Sequence, residues 1–214
     1  MNISGKTYFI IQFDGEYYNE WPDTFIIPIS KGKATNIDDV VFYGSRNSVP
    51  REIRGGNIGI PCSSNESIVG PRDGYDDGEL DGRALRASGF ENFEFFEIDF
   101  DRIPQEIDEI EVIMLNYDHC IDNVQDKIIQ LKNLQIFTLP LQTKDSLDGN
   151  DYSSLMLNFV TFINERKIKH SSSDKSDVIS IETSLRIGKF LRVSDSEWTY
   201  KECTDEITDF EDYL

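Results

Sequence analysis

The chain has 214 residues, of which 38% are hydrophobic and 12% aromatic, enough for one domain with an apolar core of its own. Its 40 acidic and 21 basic residues give a formal net charge of -19. Because nucleic acids and anionic membranes are bound through Lys and Arg, this charge argues against both. It favours a cation or a basic protein partner reached by electrostatic steering, although an excess of acid also serves solubility alone.

Three cysteines, Cys62, Cys120 and Cys203, stand far apart in the sequence. Their odd number and wide separation indicate neither a disulfide framework nor a zinc site. The first residues lack the basic start and apolar run of a signal peptide, and no apolar stretch is long enough to cross a membrane. We therefore expect a soluble cytoplasmic protein with reduced thiols.

Short apolar runs rich in β-branched and aromatic residues recur along the chain, separated by polar segments with turn residues. In chain order, these predicted strands lie at residues 8–13, 24–27, 40–43, 95–100, 111–115, 134–139, 155–162, 185–193 and 198–200. So many short strands in one domain predict an all-β fold. We expect a two-sheet β-sandwich with long loops and at most short helices.

The segments between these strands are predicted to be mostly irregular. Residues 121–129 have an apolar spacing compatible with a helix of one or two turns. Residues 164–178 predict a long exposed loop, and residues 194–197 a hairpin connection between the last two strands. We expect the sandwich domain to span residues 1–203 and residues 204–214 to form an acidic, solvated tail.

An acidic, glycine-rich loop at residues 70–82 lies between the predicted strands at 40–43 and 95–100. Two carboxylates about 4 Å apart repel by about 1 kcal/mol in water, and glycines let the backbone turn tightly. Such a loop would fold more readily around a hard cation, and Ca²⁺ accepts several oxygen ligands in flexible geometry. Composition alone leaves a hydrated surface loop as an equal alternative.

The loop does not match the EF-hand template. Whether the template starts at Asp73 or at Asp77, its twelfth position lacks the bidentate Glu that closes an EF-hand. The closing ligand must therefore come from elsewhere. Glu94, at the start of the following predicted strand, is the candidate.

Four sequence blocks follow one another between residues 38 and 203. They are DDVVFYG at 38–44, the segment 72–100 with the acidic loop and EFFEIDF, RIPQEIDEI at 102–110, and ETSLRIGKFLR at 182–192 followed by EWTY at 197–200. In order and spacing these blocks resemble the TerD family of tellurium-resistance and stress proteins. The resemblance implies a β-sandwich that binds calcium at one end and has no known catalytic centre.

The resemblance also implies particular ligands. Asp73 matches the acid of the family's G-D-N turn, and Glu94 matches the acid that ends its G-D-D-E motif. Asn92 and Phe93 stand where the family has paired aspartates, and the loop before Glu94 is longer than in the family. The N-terminal acids of the family correspond loosely to Asp23. The remaining loop acids either replace the lost ligands or lie in an insertion; they are Asp76, Asp77, Glu79 and Asp81.

These observations predict a non-enzymatic, calcium-binding stress-response protein of the TerD type, with protein partners and without nucleic acid or membrane insertion. The predicted ligands are Asp23, Asp73, Asp76, Asp77, Glu79, Asp81 and Glu94. One alternative is an interaction module of the same fold that has lost calcium. Another is a metal-dependent hydrolase whose acidic loop holds magnesium. His119 and His170 lie in polar segments without a nucleophile elbow, so no catalytic residue is predicted.

Overall fold

The computed structural model describes residues 2–14, 22–53, 56–73, 80–90, 92–116, 128–141, 152–170 and 178–207. Two α-helices are described, α1 (Leu80–Ala87) and α2 (Tyr152–Arg166). The strands are β1 (Asn2–Ile3), β2 (Lys6–Asp14), β3 (Asp23–Ser30), β4 (Lys33–Ala34), β5 (Ser48–Ile53), β6 (Gly56–Pro61), β7 (Ile68–Asp73), β8 (Phe93–Asp99), β9 (Glu109–Leu115), β10 (Ile129–Leu141), β11 (Ile168–Lys169), β12 (Val178–Ile181), β13 (Ser184–Arg192) and β14 (Trp198–Glu206).

The strands form two sheets and one separate hairpin. The first sheet has the order β1-β14-β13-β9-β3-β4. The second has the order β11-β10-β2-β8-β7, with β12 also paired to β10, and β5 pairs with β6 alone. All of these pairings are antiparallel. Except at 40–43 and 155–162, each predicted strand is confirmed.

The main core lies between the two sheets. Alternating residues of the long strands of both sheets point into it, as period-2 patterning requires. Phe9 and Ile11 enter from the second sheet and Val112 and Met114 from the first, and each is fully buried. Trp198, also fully buried, joins the same cluster. The predicted all-β sandwich is thus confirmed.

The outer face of the second sheet carries a second core, covered by both helices. Tyr8 and Phe95 lie on the sheet side of this cluster, and Phe159 and Ile163 of α2 pack against it. The prediction of a strand at 155–162 was therefore wrong. Phe159 and Ile163 are four residues apart and buried, whereas Leu157 is 66% exposed, which is the one-sided pattern of an amphipathic helix.

The predicted strand at 40–43 was also wrong. A 3₁₀ helix at Ile37–Asp39 precedes it, and Val41 makes a single β-bridge to Ile26. Phe42 then stacks on Phe25 with ring centroids 4.5 Å apart. The segment therefore covers the outer face of the first sheet and does not extend it.

Several other predicted segments shift or fall outside the description. α2 continues to Arg166 and β11 follows, so the predicted loop at 164–178 does not begin at 164. Residues 171–177, and residues 121–127 of the predicted short helix, lie outside the described residues. β14 runs to Glu206, and buried Ile207 packs on the outer face of the first sheet. The strand thus passes the predicted domain boundary at 203. Residues 208–214 are not described.

A bulge in β13 lets the first sheet accept a large side chain. The register with β9 and β14 shifts between Arg186 and Gly188. A Cβ atom on Gly188 would lie 1.9 Å from the hydroxyl oxygen of Tyr200, so only glycine fits there.

Neither described helix is long and apolar enough to cross a membrane.

Candidate metal site

The end of edge strand β7 brings two predicted ligands together. In the β7–β8 register, Asp73 lies directly opposite Glu94. The register shifts between Val69 and Arg72, at a point where Gly70 has a φ of +143°. A Cβ on Gly70 would meet the Phe96 ring at 2.7 Å. Because a one-residue slip changes which residues stand opposite each other, this bulge sets the register in which Asp73 stands opposite Glu94.

Glu94 belongs to the face of the second sheet that looks toward the first. Glu94 also stands opposite Ile11 of β2, and Ile11 belongs to the core between the sheets. Glu94 is half-buried. Acids that stand directly opposite each other in an antiparallel pair in general destabilise it. A cation between the two acids would reverse the sign of this interaction.

The other predicted ligands are not brought to this pair by the described residues. Asp23 stands opposite Leu115, and alternation puts it on the outer face of the first sheet with Phe25. Asp81 is the second residue of α1. Asp76, Asp77 and Glu79 lie outside the described residues. Within the described ranges, no group of three or more His, Cys, Asp or Glu is arranged to hold a metal ion.

Phe93 stands where the motif of the TerD family has one of its paired aspartates, and its side chain lies on the face opposite to that of Glu94. It is 1% exposed and packs with Phe90 and Phe95, each with a ring centroid 6.0 Å away. This position supplies core packing under α1 and α2 and no oxygen ligand. The main-chain carbonyl oxygen of Asn92, beside it, accepts a hydrogen bond from the Phe13 amide, with an N···O distance of 3.2 Å.

A buried arginine, Arg72, precedes Asp73 in the chain and was not predicted from the sequence. Arg72 is 2% exposed, and its guanidinium lies 4.4 Å from the centroid of the Phe95 ring. One of its nitrogens is 3.7 Å from a carboxylate oxygen of Glu97, whose other oxygen is 2.6 Å from the Lys6 ammonium. This network occupies the outer face of the second sheet, while Glu94 lies on the inner face. The signal available in the sequence was the alternation of side chains along a strand, which puts consecutive residues on opposite faces.

His170 has structural surroundings. Its Nε2 lies 2.7 Å from the Thr138 hydroxyl, and its ring centroid is 5.0 Å from that of Tyr200. Burial, followed by the charge of the chain's amino terminus, lowers the pKa of His170. These contacts hold the ring against Thr138 and Tyr200. His119 lies outside the described residues.

Comparison with solved structures finds neighbours of low similarity. A homologue of the telluride resistance protein TerD from Streptomyces coelicolor A3(2) is 12% identical, with a TM-score of 0.45, covering 95% of this chain and 90% of that one. SAV2460, a protein of unknown function, is 14% identical, with the same TM-score and the same coverage. No protein-family model and no curated protein matches the chain. At this similarity the neighbours do not assign the chain to a family.

Proposed function

We propose that this is a non-enzymatic, calcium-binding stress-response protein of the TerD type, in which Asp73 and Glu94 hold Ca²⁺ at the end of β7. The supporting observation is the register that sets these two acids opposite each other. Hard oxygen donors are the ligands that Ca²⁺ prefers. The second of the four sequence blocks that resemble the TerD family, residues 72–100, contains the same two residues.

Two carboxylates supply only part of a calcium shell, since Ca²⁺ takes six to eight oxygens. In the proposal the rest come from water, from main-chain carbonyls and from the acids of the loop that continues from β7. Bound calcium would cancel the repulsion within the pair and order that loop against the sheet. A change in calcium concentration would thereby alter a surface that protein partners bind. In this proposal the protein acts in the cytoplasm and without nucleic acid.

Thermal unfolding in calcium and in chelator tests this proposal. Calcium at about a hundred times its dissociation constant adds about 2.7 kcal/mol of stability, which for a domain of this size is a rise in Tm of roughly 5–10 °C. Asp73→Asn and Glu94→Gln should each remove the rise. Glu165→Gln, an exposed acid on α2, is the matched control and should keep it. An unchanged Tm of the wild-type protein at millimolar calcium contradicts the proposal.

One observation favours a second candidate, an interaction module of this fold without calcium. The position of a family aspartate is occupied by Phe93, which is buried in the helix-covered core. In that case the repulsion between Asp73 and Glu94 is simply tolerated. Asp73→Asn would then raise the Tm equally in calcium and in chelator, whereas a calcium site requires the substitution to lower the Tm in calcium only.

A further inference from the structure

One edge of the first sheet is open along most of its last strand. β14 pairs with β13 from Trp198 to Glu206, whereas on its other side β1 pairs only with Trp198 and Thr199. Residues 201–206 therefore have no strand beyond them among the residues that the structure describes. An open edge of this kind presents main-chain donors and acceptors to any chain that approaches it in an extended form.

The hydrogen bonds to β13 indicate which main-chain groups of β14 point outward. The Ile207 amide donates to the Ser184 carbonyl oxygen at 3.1 Å, so the main-chain groups of Ile207 face β13. Residues that bond to the neighbouring strand alternate along an antiparallel strand with residues whose groups point away from it. Thr204 and Glu206 therefore direct their N–H and C=O groups outward, and Asp205 directs its own toward β13.

The sequence does not block this edge with proline. Proline cannot donate a hydrogen bond to a neighbouring strand and commonly keeps exposed edges from pairing. The shorter strands β5, β6 and β7 contain Pro50, Pro61 and Pro71, whereas residues 201–206 contain no proline. The pairing of β1 also shows that the outer side of β14 accepts an antiparallel strand. The main chain of residues 201–206 can therefore accept a further strand.

The charge of the edge indicates what kind of strand fits. Residues 201–206, KECTDE, carry three acids and one lysine. Asp205 and Glu206 are exposed, and because consecutive side chains of a strand alternate, acids are present on both faces of the edge. Opposite charges on neighbouring strands stabilise their pairing and like charges destabilise it. A basic strand therefore suits the edge better than the acidic residues 208–214 of this chain or the same edge of a second copy.

One cation of the protein approaches these acids. Nη1 of Arg186 lies 3.6 Å from Oδ2 of Asp205, whose side chain is still 63% exposed. The same guanidinium also contacts Glu111 at 3.0 Å. Arg186 therefore leaves most of the Asp205 side chain open to water and to a cation of a partner.

We propose that residues 201–206 bind an extended, basic segment of a protein partner, which adds to the first sheet as a further strand beside β14. The main chain of this segment pairs with the outward groups of Thr204 and Glu206, and its Lys or Arg side chains lie beside Asp205 and Glu206. In strand addition the main-chain hydrogen bonds supply affinity and the side chains supply specificity. The net charge of -19 steers a basic partner toward the protein.

This inference is independent of the proposed calcium site. β14 is a strand of the first sheet, whereas Asp73 and Glu94 belong to β7 and β8 of the second. A chain that binds no calcium would keep the same open edge.

Amide hydrogen exchange of the full chain, followed by NMR with and without a basic peptide, tests the proposal. The probe is an acetylated and amidated Lys-Val-Lys-Val-Lys-Val peptide, whose alternation suits a strand. One control replaces each lysine by glutamate, and a second keeps the side chains but has every main-chain amide N-methylated. With the probe at about ten times its dissociation constant, exchange of the Thr204 and Glu206 amides should slow about tenfold. Exchange of the Asp205 amide, which faces β13, should stay unchanged, and neither control should slow any of the three.

Two variants of Glu206 separate strand addition from general attraction to an acidic protein. Glu206→Pro removes an outward N–H without removing a hydrogen bond to β13, and Glu206→Gln removes only the charge. We expect Glu206→Pro to weaken the probe about tenfold and Glu206→Gln to weaken it about twofold to fivefold. Glu165→Gln, an exposed acid on α2, should leave the affinity unchanged. If the spectrum of Glu206→Pro differs from that of the wild type as a whole, the N-methylated peptide supplies the same comparison.

Several results would overturn the proposal. Unchanged exchange of the Thr204 and Glu206 amides in the presence of the probe would show that no strand is added there. Equal binding of the N-methylated peptide, or equal affinities of Glu206→Pro and Glu206→Gln, would mean that charge alone attracts the peptide. Slow exchange of the two amides without peptide would assign the edge to the chain's own tail if deletion of residues 208–214 abolished it, and to a second copy if it increased with protein concentration.

Discussion

Glu111 should make the protein less stable as the pH rises. Its pKa is raised from the usual 4.5 to about 7, chiefly by burial. Between these two values the folded chain keeps a proton that the unfolded chain has lost. The stability that this proton contributes is therefore fully present below pH 4.5 and is lost as the pH rises through about 7. At about 1.4 kcal/mol per pKa unit, the whole shift is worth about 3 kcal/mol.

Urea unfolding of the wild type and of Glu111→Gln at several pH values isolates this contribution. Glutamine keeps the shape and the hydrogen bond to Arg186 but has no titrating proton. Between pH 5 and pH 8 we expect the free energy of unfolding of the wild type to fall relative to the variant by about 2–3 kcal/mol. Glu165→Gln, on the exposed face of α2, controls for the loss of one negative charge. Its curve should run parallel to that of the wild type.

Parallel curves for the wild type and Glu111→Gln would refute the reasoning. They would mean that Glu111 ionises alike in the folded and unfolded chain. The rise that burial causes in the pKa of Glu111 would then not exceed the fall caused by the charge of Arg186. A wild type that gains stability relative to the variant with rising pH would show that the attraction of Arg186 exceeds the cost of burial.

The other predictions concern packing. Phe159→Ala should lower the free energy of unfolding by about 3–5 kcal/mol because it empties part of the helix-covered core. Leu157 is 66% exposed, so Leu157→Ala should change it by no more than about 0.5 kcal/mol. Urea unfolding measures both variants, and equal losses of stability would contradict the assigned face of α2. Gly188→Ala should lower the free energy of unfolding by about 1–3 kcal/mol, because its Cβ would lie 1.9 Å from the Tyr200 hydroxyl oxygen. Unchanged stability would mean that Tyr200 does not occupy the bulge.

Most strands of the sandwich could be predicted from the sequence because their period-2 patterning reports one buried face. The helix α2 could not, because residues 155–162 are rich in apolar, aromatic and β-branched side chains that also suit a strand. What decides in favour of a helix is the apolar outer face of β2 and β8, with Tyr8 and Phe95. A strand there would leave that face in water, and the need to cover it appears only once the sheet is assembled.

At the candidate metal site, the strand register likewise depends on contacts that form only in the folded chain. The order of the motifs was enough to select Asp73 and Glu94, but their pairing depends on the bulge at Gly70. Glu109 and Glu111 show the reverse case. Their alternation with Ile110 and Val112 indicates two acids on one face, which by itself suggests a solvated face. Glu111 is nevertheless only 5% exposed, and its neighbours come from distant parts of the sequence, Lys33 and Ala34 of the β3–β4 hairpin and Arg186 of β13.

Calorimetric titration of the full chain with Ca²⁺ tests most directly whether Asp73 and Glu94 bind calcium. We predict saturable binding by the wild type and by Glu165→Gln. Glu94→Gln should weaken the binding at least tenfold, because half of the opposed pair loses its charge. Absence of binding by the wild type, or equal binding by the wild type and Glu94→Gln, would contradict the claim.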